Sequence, residues 1–189
     1  MNQNPDQFQF IFNSQDEEIQ DVLDRCQQYI NQNAGKNSVE SALLSKIKWV
    51  ITELLTNAVK HSETSECLLL MSLKNGQLII EKQDNGNPLT LYHPAKETKI
   101  IWPLHPGKTI EDFQIYHNGM DSLMVHIEND NLATFYTEEL PESYMPALLL
   151  DTSEHFGLLI ITKASDTFIY QYIREENLNK FQVCFNVNT

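Results

Sequence analysis

The chain is short of basic residues. Only 13 Lys and Arg stand against 26 Asp and Glu among its 189 residues, which gives a formal net charge of -13. Proteins that bind nucleic acids usually carry a basic patch or stripe, and anionic membrane surfaces attract polybasic segments. This composition therefore predicts that neither a nucleic acid nor a membrane surface is a partner.

Cysteine and long apolar runs are scarce as well. Cys26, Cys67 and Cys184 are far apart and form no C-x-x-C pair, so free thiols in a reducing compartment are expected rather than disulfides. No stretch approaches the roughly 18 uninterrupted apolar residues of a membrane-spanning helix. Residues 1–9 are polar and lack the basic and apolar regions of a signal peptide. We therefore expect a cytoplasmic protein.

The apolar residues that are present follow helix and strand periods. Asn75-Gly76 between two apolar runs is typical of a tight β-hairpin. The periods predict a strand at 7–13, helices at 15–33 and 38–61, strands at 66–73 and 77–83, a helix near 155–166, and strands at 167–174 and 181–187. Helices grouped against a mostly antiparallel sheet predict an α+β fold, a two-layer α/β sandwich.

The middle of the chain departs from this pattern. We interpret residues 1–189 as a single domain with a β-rich insertion at about 92–154, where alternating segments resemble strands. An unstructured segment of this length is unusual inside a compact domain. We therefore expect an ordered hairpin or three-stranded extension at 112–137, packed on the core or on a second subunit.

Three polar residues follow one face of the second predicted helix. Glu53, Asn57 and His61 are spaced i, i+4, i+8, which places them within roughly 80° of each other beside the apolar stripe. A carboxylate can polarise a water, an amide oxygen can bind Mg²⁺, and an imidazole can donate to a phosphate. An amphipathic helix with a few half-buried polar residues explains the same pattern, and both interpretations remain open at this point.

A second segment lies about thirty residues further along the chain. Asp84-Asn-Gly-Asn-Pro88 follows a predicted strand and has the composition of a turn. Together, E-x-x-x-N-A-x-x-H on a helix and D-x-G-x-P after a hairpin resemble the N-box and first glycine box of the GHKL ATPases. The D-N-G-N-P-L form is most similar to the anti-sigma-factor serine/threonine kinases. The segment from His155 to Asp166 resembles the second glycine box, so the resemblance covers roughly 7–91 and 155–187.

The resemblance implies a Bergerat ATP-binding fold, with helices on one face of a mixed, mostly antiparallel sheet and the insertion in the lid region. ATP and Mg²⁺ are the cofactors that it implies. Its expected activity is that of an ATP-binding regulator that phosphorylates a serine or threonine on a partner, such as a sigma factor or an anti-anti-sigma-like regulator. His61 matches the motif without a single defined role.

The resemblance also implies roles for five other residues. Glu53 would be the catalytic base or water-orienting carboxylate, and Asn57 would bind Mg²⁺. Asp84 would accept a hydrogen bond from the adenine amino group, and Gly86 would leave room for the purine ring. Gly157, at the start of a helix, would place backbone N–H groups near the phosphates.

Three departures from the family pattern support another function. His155 replaces the first glycine of the second box, residues 180–183 read K-F-Q-V where the family has G-T-x-V, and the lid region is long. These changes favour a non-catalytic interaction module with weakened or lost nucleotide binding, whereas Glu53 and Asn57 favour the enzyme. A homodimer is compatible with both. A histidine-kinase catalytic domain has less support, because no upstream helix carries a phospho-acceptor histidine.

Overall fold

The computed structural model describes residues 7–34, 39–93, 96–105, 107, 111–140 and 155–187. Strands account for 45% of the described residues and helices for 34%. The helices are α1 (Ile19–Asn33), α2 (Ser41–His61) and α3 (Phe156–Ala164), with short 3-10 turns at Asp16–Glu18 and Arg174–Glu176. The strands are β1 (Gln7–Phe12), β2 (Cys67–Lys74), β3 (Gln77–Asp84), β4 (Thr90–His93), β5 (Thr98–Ile101), β6 (Glu111–His117), β7 (Asp121–Asn129), β8 (Leu132–Glu139), β9 (Thr167–Ile173) and β10 (Leu178–Asn186).

Eight of these strands form one sheet. Their order is β1-β2-β3-β10-β9-β8-β7-β6, and each described pair of neighbours is antiparallel. Strands β4 and β5 form a separate two-stranded ribbon. The β2–β3 hairpin turns at Asn75 and Gly76, which both have positive φ, at 52° and 74°. This is the left-handed backbone that an Asn-Gly hairpin turn requires, so the predicted hairpin is confirmed.

The core lies where the helices meet the sheet. Helix α2 buries one apolar face, formed by Ile47, Val50, Ile51, Leu54, Leu55 and Ala58. It packs against α1 and α3, while α1 contacts β1 and β2 and α3 contacts β7, β8 and β9. Strand β3 alternates in burial, so Leu78, Ile80, Lys82 and Asp84 all face the buried side. The turn after β3 reaches the end of α2, where the Asn87 N–H donates to the carbonyl oxygen of Ser62.

The predicted fold class is wrong. The described chain is a mostly β protein with few helices rather than a helix-on-sheet α/β sandwich, and its sheet is antiparallel rather than mixed. The physical reason is the pairing of β8 with β9, in which Leu132 lies opposite Gln171 and Phe135 opposite Phe168. This pairing makes the supposed insertion part of the main sheet, which grows to eight strands.

The expected strands at 112–137 are confirmed. They are β6, β7 and β8, and their inward side chains Phe113, Leu123, Val125, Ile127 and Phe135 are buried. The helix predictions hold within a few residues, since α1 follows a 3-10 turn and α2 begins at Ser41. Residue 38, where the second helix was expected to begin, and residues 141–154 of the expected insertion lie outside the described residues.

Candidate functional site

A cavity of about 360 Å³ lies between α2, the end of β3, the β4–β5 ribbon and α3. We call it the Asp84 pocket. Its walls include the apolar side chains of Leu54, Leu89, Leu91, Leu158, Ile161, Phe168 and Phe181. Its polar lining includes Asn57, His61, Lys82, Asp84, Lys99 and His155. This volume is within the usual range for small-molecule sites, which are mostly apolar with a few convergent polar groups.

Only part of the predicted α2 line reaches this pocket. Asn57 and His61 line it, whereas Glu53 lies in the wall of a different groove with Trp49 and Phe156. Burial raises the pKa of the Glu53 carboxyl above its usual value, and the charge of Lys60 opposes that rise. A carboxyl with a raised pKa holds its proton more tightly, which suits a proton-transfer group, but its placement separates it from Asp84.

The turn after β3 is held in place by backbone contacts. The Asn87 N–H donates to the carbonyl oxygen of Ser62, just after α2, at 2.8 Å. A Cβ on Gly86 would lie 1.9 Å from the same oxygen, so only glycine fits. Gly86 does not line the pocket. Its lack of a side chain therefore admits the end of α2 rather than a purine ring.

Asp84 is buried and already has several partners. Its Oδ1 accepts from the Gly86 N–H at 2.9 Å and from Asn179 Nδ2 at 3.1 Å. Its Oδ2 forms an ion pair with Lys82 but receives no hydrogen bond of good geometry from the described residues. A carboxylate offers about four acceptor positions, so Oδ2 keeps acceptor capacity beside its contact with Lys82.

Asn179 is a site residue that the sequence did not reveal. Its amide is 1% exposed and donates to Asp84 Oδ1, to the carbonyl of Gly86 at 3.1 Å and to that of Asn87 at 3.3 Å. Its own oxygen accepts from the Tyr170 hydroxyl at 2.7 Å. The predicted strand at 181–187 started too late to include this residue, because β10 begins at Leu178.

Lys82 is the second unpredicted site residue, although the sequence contained a signal. It follows Leu78 and Ile80 at alternate positions of β3, so the strand period placed it on the apolar face. It is 3% exposed, pairs with Asp84, and its Nζ lies 4.8 Å from the centre of the Phe181 ring. A buried lysine in a pocket wall is a candidate ligand-binding group.

The start of α3 lies against the middle of α2. A Cβ on Gly157 would be 2.5 Å from Glu53 Oε2 and 3.6 Å from Asn57 Oδ1. The side-chain oxygens of these two α2 residues therefore lie close to the same residue of α3. Such oxygens suit Mg²⁺, which usually binds one or two protein oxygens together with phosphates and water. His155 has φ of -114°, an ordinary value for a residue with a side chain, and it lines the pocket in place of the family's glycine.

On the other side of α3 lies a groove of about 560 Å³, which we call the Trp49 groove. Trp49 is 62% exposed and Phe156 is 47% exposed. Lys163 at its edge donates to Asp121 at 2.5 Å, and this bond lowers the pKa of the Asp121 carboxyl, against the opposing effect of burial. Exposed aromatic side chains in a groove are typical of binding surfaces.

A comparison of the chain with protein-family models and with curated proteins finds no match. None of the helices in the described ranges is both long and apolar enough to cross a membrane. The described residues also contain no group of three or more His, Cys, Asp or Glu placed to hold a metal ion.

Proposed function

We propose that this chain binds ATP with Mg²⁺ in the Asp84 pocket and acts as a cytoplasmic regulatory protein of the kind that the anti-sigma-factor serine/threonine kinases represent. The observation that carries the proposal is the meeting of three remote segments around one cavity. Asn57 and His61 come from α2, Asp84 from the end of β3, and His155 from the start of α3. The cavity and its lining carry the ATP-binding part of the proposal, whereas the likeness to the kinases comes from the sequence motifs.

The charge of the pocket supports an anionic ligand. Its lining includes the lysines Lys82 and Lys99 and the histidines His61 and His155, and Asp84 is the one carboxylate among its described lining residues. The chain as a whole carries a net charge of -13. Lys82 is paired with Asp84, so Lys99 supplies the positive charge that would attract phosphates to this pocket, and the phenylalanine rings of the wall offer an apolar surface for a base.

Asn57 is the residue that would hold Mg²⁺, together with phosphate oxygens of the nucleotide. The bound ion would neutralise phosphate charge, which an acidic protein otherwise repels. Asn57→Ala is expected to abolish any magnesium dependence of ATP binding, measured by calorimetry with and without a chelator. Thr56→Ala is the matched control, because Thr56 is the neighbouring half-buried residue of α2 and does not line the pocket.

ATP binding is tested by thermal unfolding and calorimetry. Mg-ATP at about 100 times its Kd should stabilise the protein by roughly 2.7 kcal/mol. His61→Ala should weaken binding and Lys60→Ala should not, since both residues are exposed in the last turn of α2 and only His61 lines the pocket. An unchanged melting curve at millimolar Mg-ATP would refute the proposal.

The position of Glu53 decides whether phosphoryl transfer is part of the function. Its carboxylate lines the Trp49 groove rather than the Asp84 pocket, but its Oε2 lies 2.5 Å and Asn57 Oδ1 lies 3.6 Å from the same Cβ position at Gly157. Glu53 is therefore close to the residue that would hold Mg²⁺. We expect Glu53→Gln to preserve ATP binding and to remove any turnover, and full turnover in that variant would exclude Glu53 as the catalytic carboxylate.

The Trp49 groove favours protein interaction as a second candidate function. Its partner would be a sigma factor, an anti-anti-sigma-like regulator or a second copy of the chain, and not a nucleic acid. The chain has two tryptophans, and Trp102 is 1% exposed, so acrylamide should quench mainly Trp49. Shielding of Trp49 with rising protein concentration would indicate a homodimer, and shielding only on addition of a purified regulator would indicate the other partners.

A further inference from the structure

Lys82 occupies a position where the strand period calls for an apolar residue. It shares the buried face of β3 with Leu78 and Ile80, and it lines the Asp84 pocket. Burying an ion pair in this way usually gives little net stability compared with apolar residues of similar size. A ligand that used the ammonium would give it a function.

The pair formed by Lys82 and Asp84 presents one donor and one acceptor side by side. Asp84 Oδ2 is buried and receives no hydrogen bond of good geometry from the described residues. Lys82 has three N–H donors, and its ammonium is in ion-pair contact with Asp84 Oδ2. The pair can therefore accept one hydrogen bond from a ligand and donate another to the adjacent ligand atom.

Adenine carries the matching pattern on one edge, since N1 accepts a hydrogen bond and the neighbouring N6 amino group donates one. We propose that Lys82 donates to N1 of adenine, next to the N6 amino group that the resemblance to the GHKL ATPases assigns to Asp84. Lys82 is then a base-reading residue of the Asp84 pocket. Phe168 and Phe181 line the same cavity and lie beside the bound base. This inference rests on the proposed function and names the atoms of the ligand that the site reads.

The test uses the wild-type protein and ATP analogues. The Kd is measured by calorimetry for Mg-ATP, for 1-deaza-ATP, which lacks N1, and for purine riboside triphosphate, which lacks the amino group; 7-deaza-ATP is the control. A hydrogen bond to a charged group predicts that loss of N1 or of the amino group weakens binding by about 10- to 100-fold. The 7-deaza analogue should bind like ATP, because the changed atom lies on the other edge.

A variant links the effect to Lys82. Lys82→Met keeps an apolar stem of similar length, and in this variant ATP and 1-deaza-ATP should bind equally. If the variant fails to fold, Lys82→Arg replaces it and should keep the discrimination, because it retains a charged donor. If the wild type binds ATP and 1-deaza-ATP equally, the assignment of Lys82 to N1 is wrong. The proposed binding of ATP in the Asp84 pocket is not affected by that result.

Two further outcomes also count against the inference. Tighter binding of Mg-GTP than of Mg-ATP would mean that the pair reads O6 and the N1–H of guanine, and it overturns the assignment to adenine. Absence of binding of every triphosphate overturns the proposed function itself. The two failures are therefore distinguishable in one titration series.

Discussion

Replacing Asn179 by alanine tests whether the buried polar network holds the site together. The Asn179 amide is 1% exposed and donates to Asp84 Oδ1, to the carbonyl of Gly86 and to the carbonyl of Asn87. Its oxygen accepts from the Tyr170 hydroxyl. Asn179→Ala therefore removes the side chain that joins β10 to the turn after β3 and to β9.

The expected loss of stability follows from these bonds. A hydrogen bond to a charged group contributes about 1.5–3 kcal/mol and a neutral one about 0.5–1.5 kcal/mol. The amide nitrogen has two hydrogens, so its three contacts share two donor positions, and the Tyr170 hydroxyl loses its acceptor as well. We expect the free energy of unfolding to fall by about 3–5 kcal/mol. At about 2–4 °C per kcal/mol for a chain of this size, the Tm should fall by roughly 6–20 °C.

Urea and thermal unfolding would measure this change, with Gln171→Ala as the control. Gln171 is an exposed amide on β9 with no described hydrogen bond from its side chain, so its removal should change stability by less than about 0.5 kcal/mol. A loss below about 1 kcal/mol in Asn179→Ala, with an unchanged dependence on urea, would refute the view that this network stabilises the site.

Three other predictions concern α2 and the two glycines beside it. Gly86→Ala should lower the free energy of unfolding by about 2–4 kcal/mol in urea melts, because its Cβ would lie 1.9 Å from a backbone oxygen that cannot easily move. Gly157→Ala should change it by less than about 1 kcal/mol, because its Cβ meets the flexible end of the Glu53 side chain; a loss as large as that of Gly86→Ala would contradict this contrast. Burial raises the folded-state pKa of Glu53 from 4.5, so its stabilising contribution is present at low pH and is lost as the pH rises through the folded pKa. Wild type should therefore lose more stability than Glu53→Gln as the pH rises above 4.5, and identical pH profiles would contradict the raised pKa.

Most secondary structure and part of the site could be predicted from local patterns. The Asn-Gly turn, the alternation in β3 and the i, i+4 spacing in α2 act over a few residues, and the β2–β3 hairpin and α2 formed near their predicted positions, whereas β4 and β5 were not predicted. The same spacing predicted that Asn57 and His61 share a helix face, and both line one pocket. It also predicted that Glu53 would join them, but Glu53 lines the adjacent groove, with its Oε2 close to Gly157 of α3.

The sequence by itself determined the acidic character of the chain, the helix and strand periods, and the turn that follows β3. Only the tertiary structure decided that β8 pairs with β9 and that Asn179 reaches Asp84. Strand pairing joins distant segments, and any extended segment offers the same backbone donors and acceptors, so the pairing depends on how whole faces pack rather than on a local pattern. For the same reason, the fold class and the partners of Asp84 emerged only when the strands had been brought together.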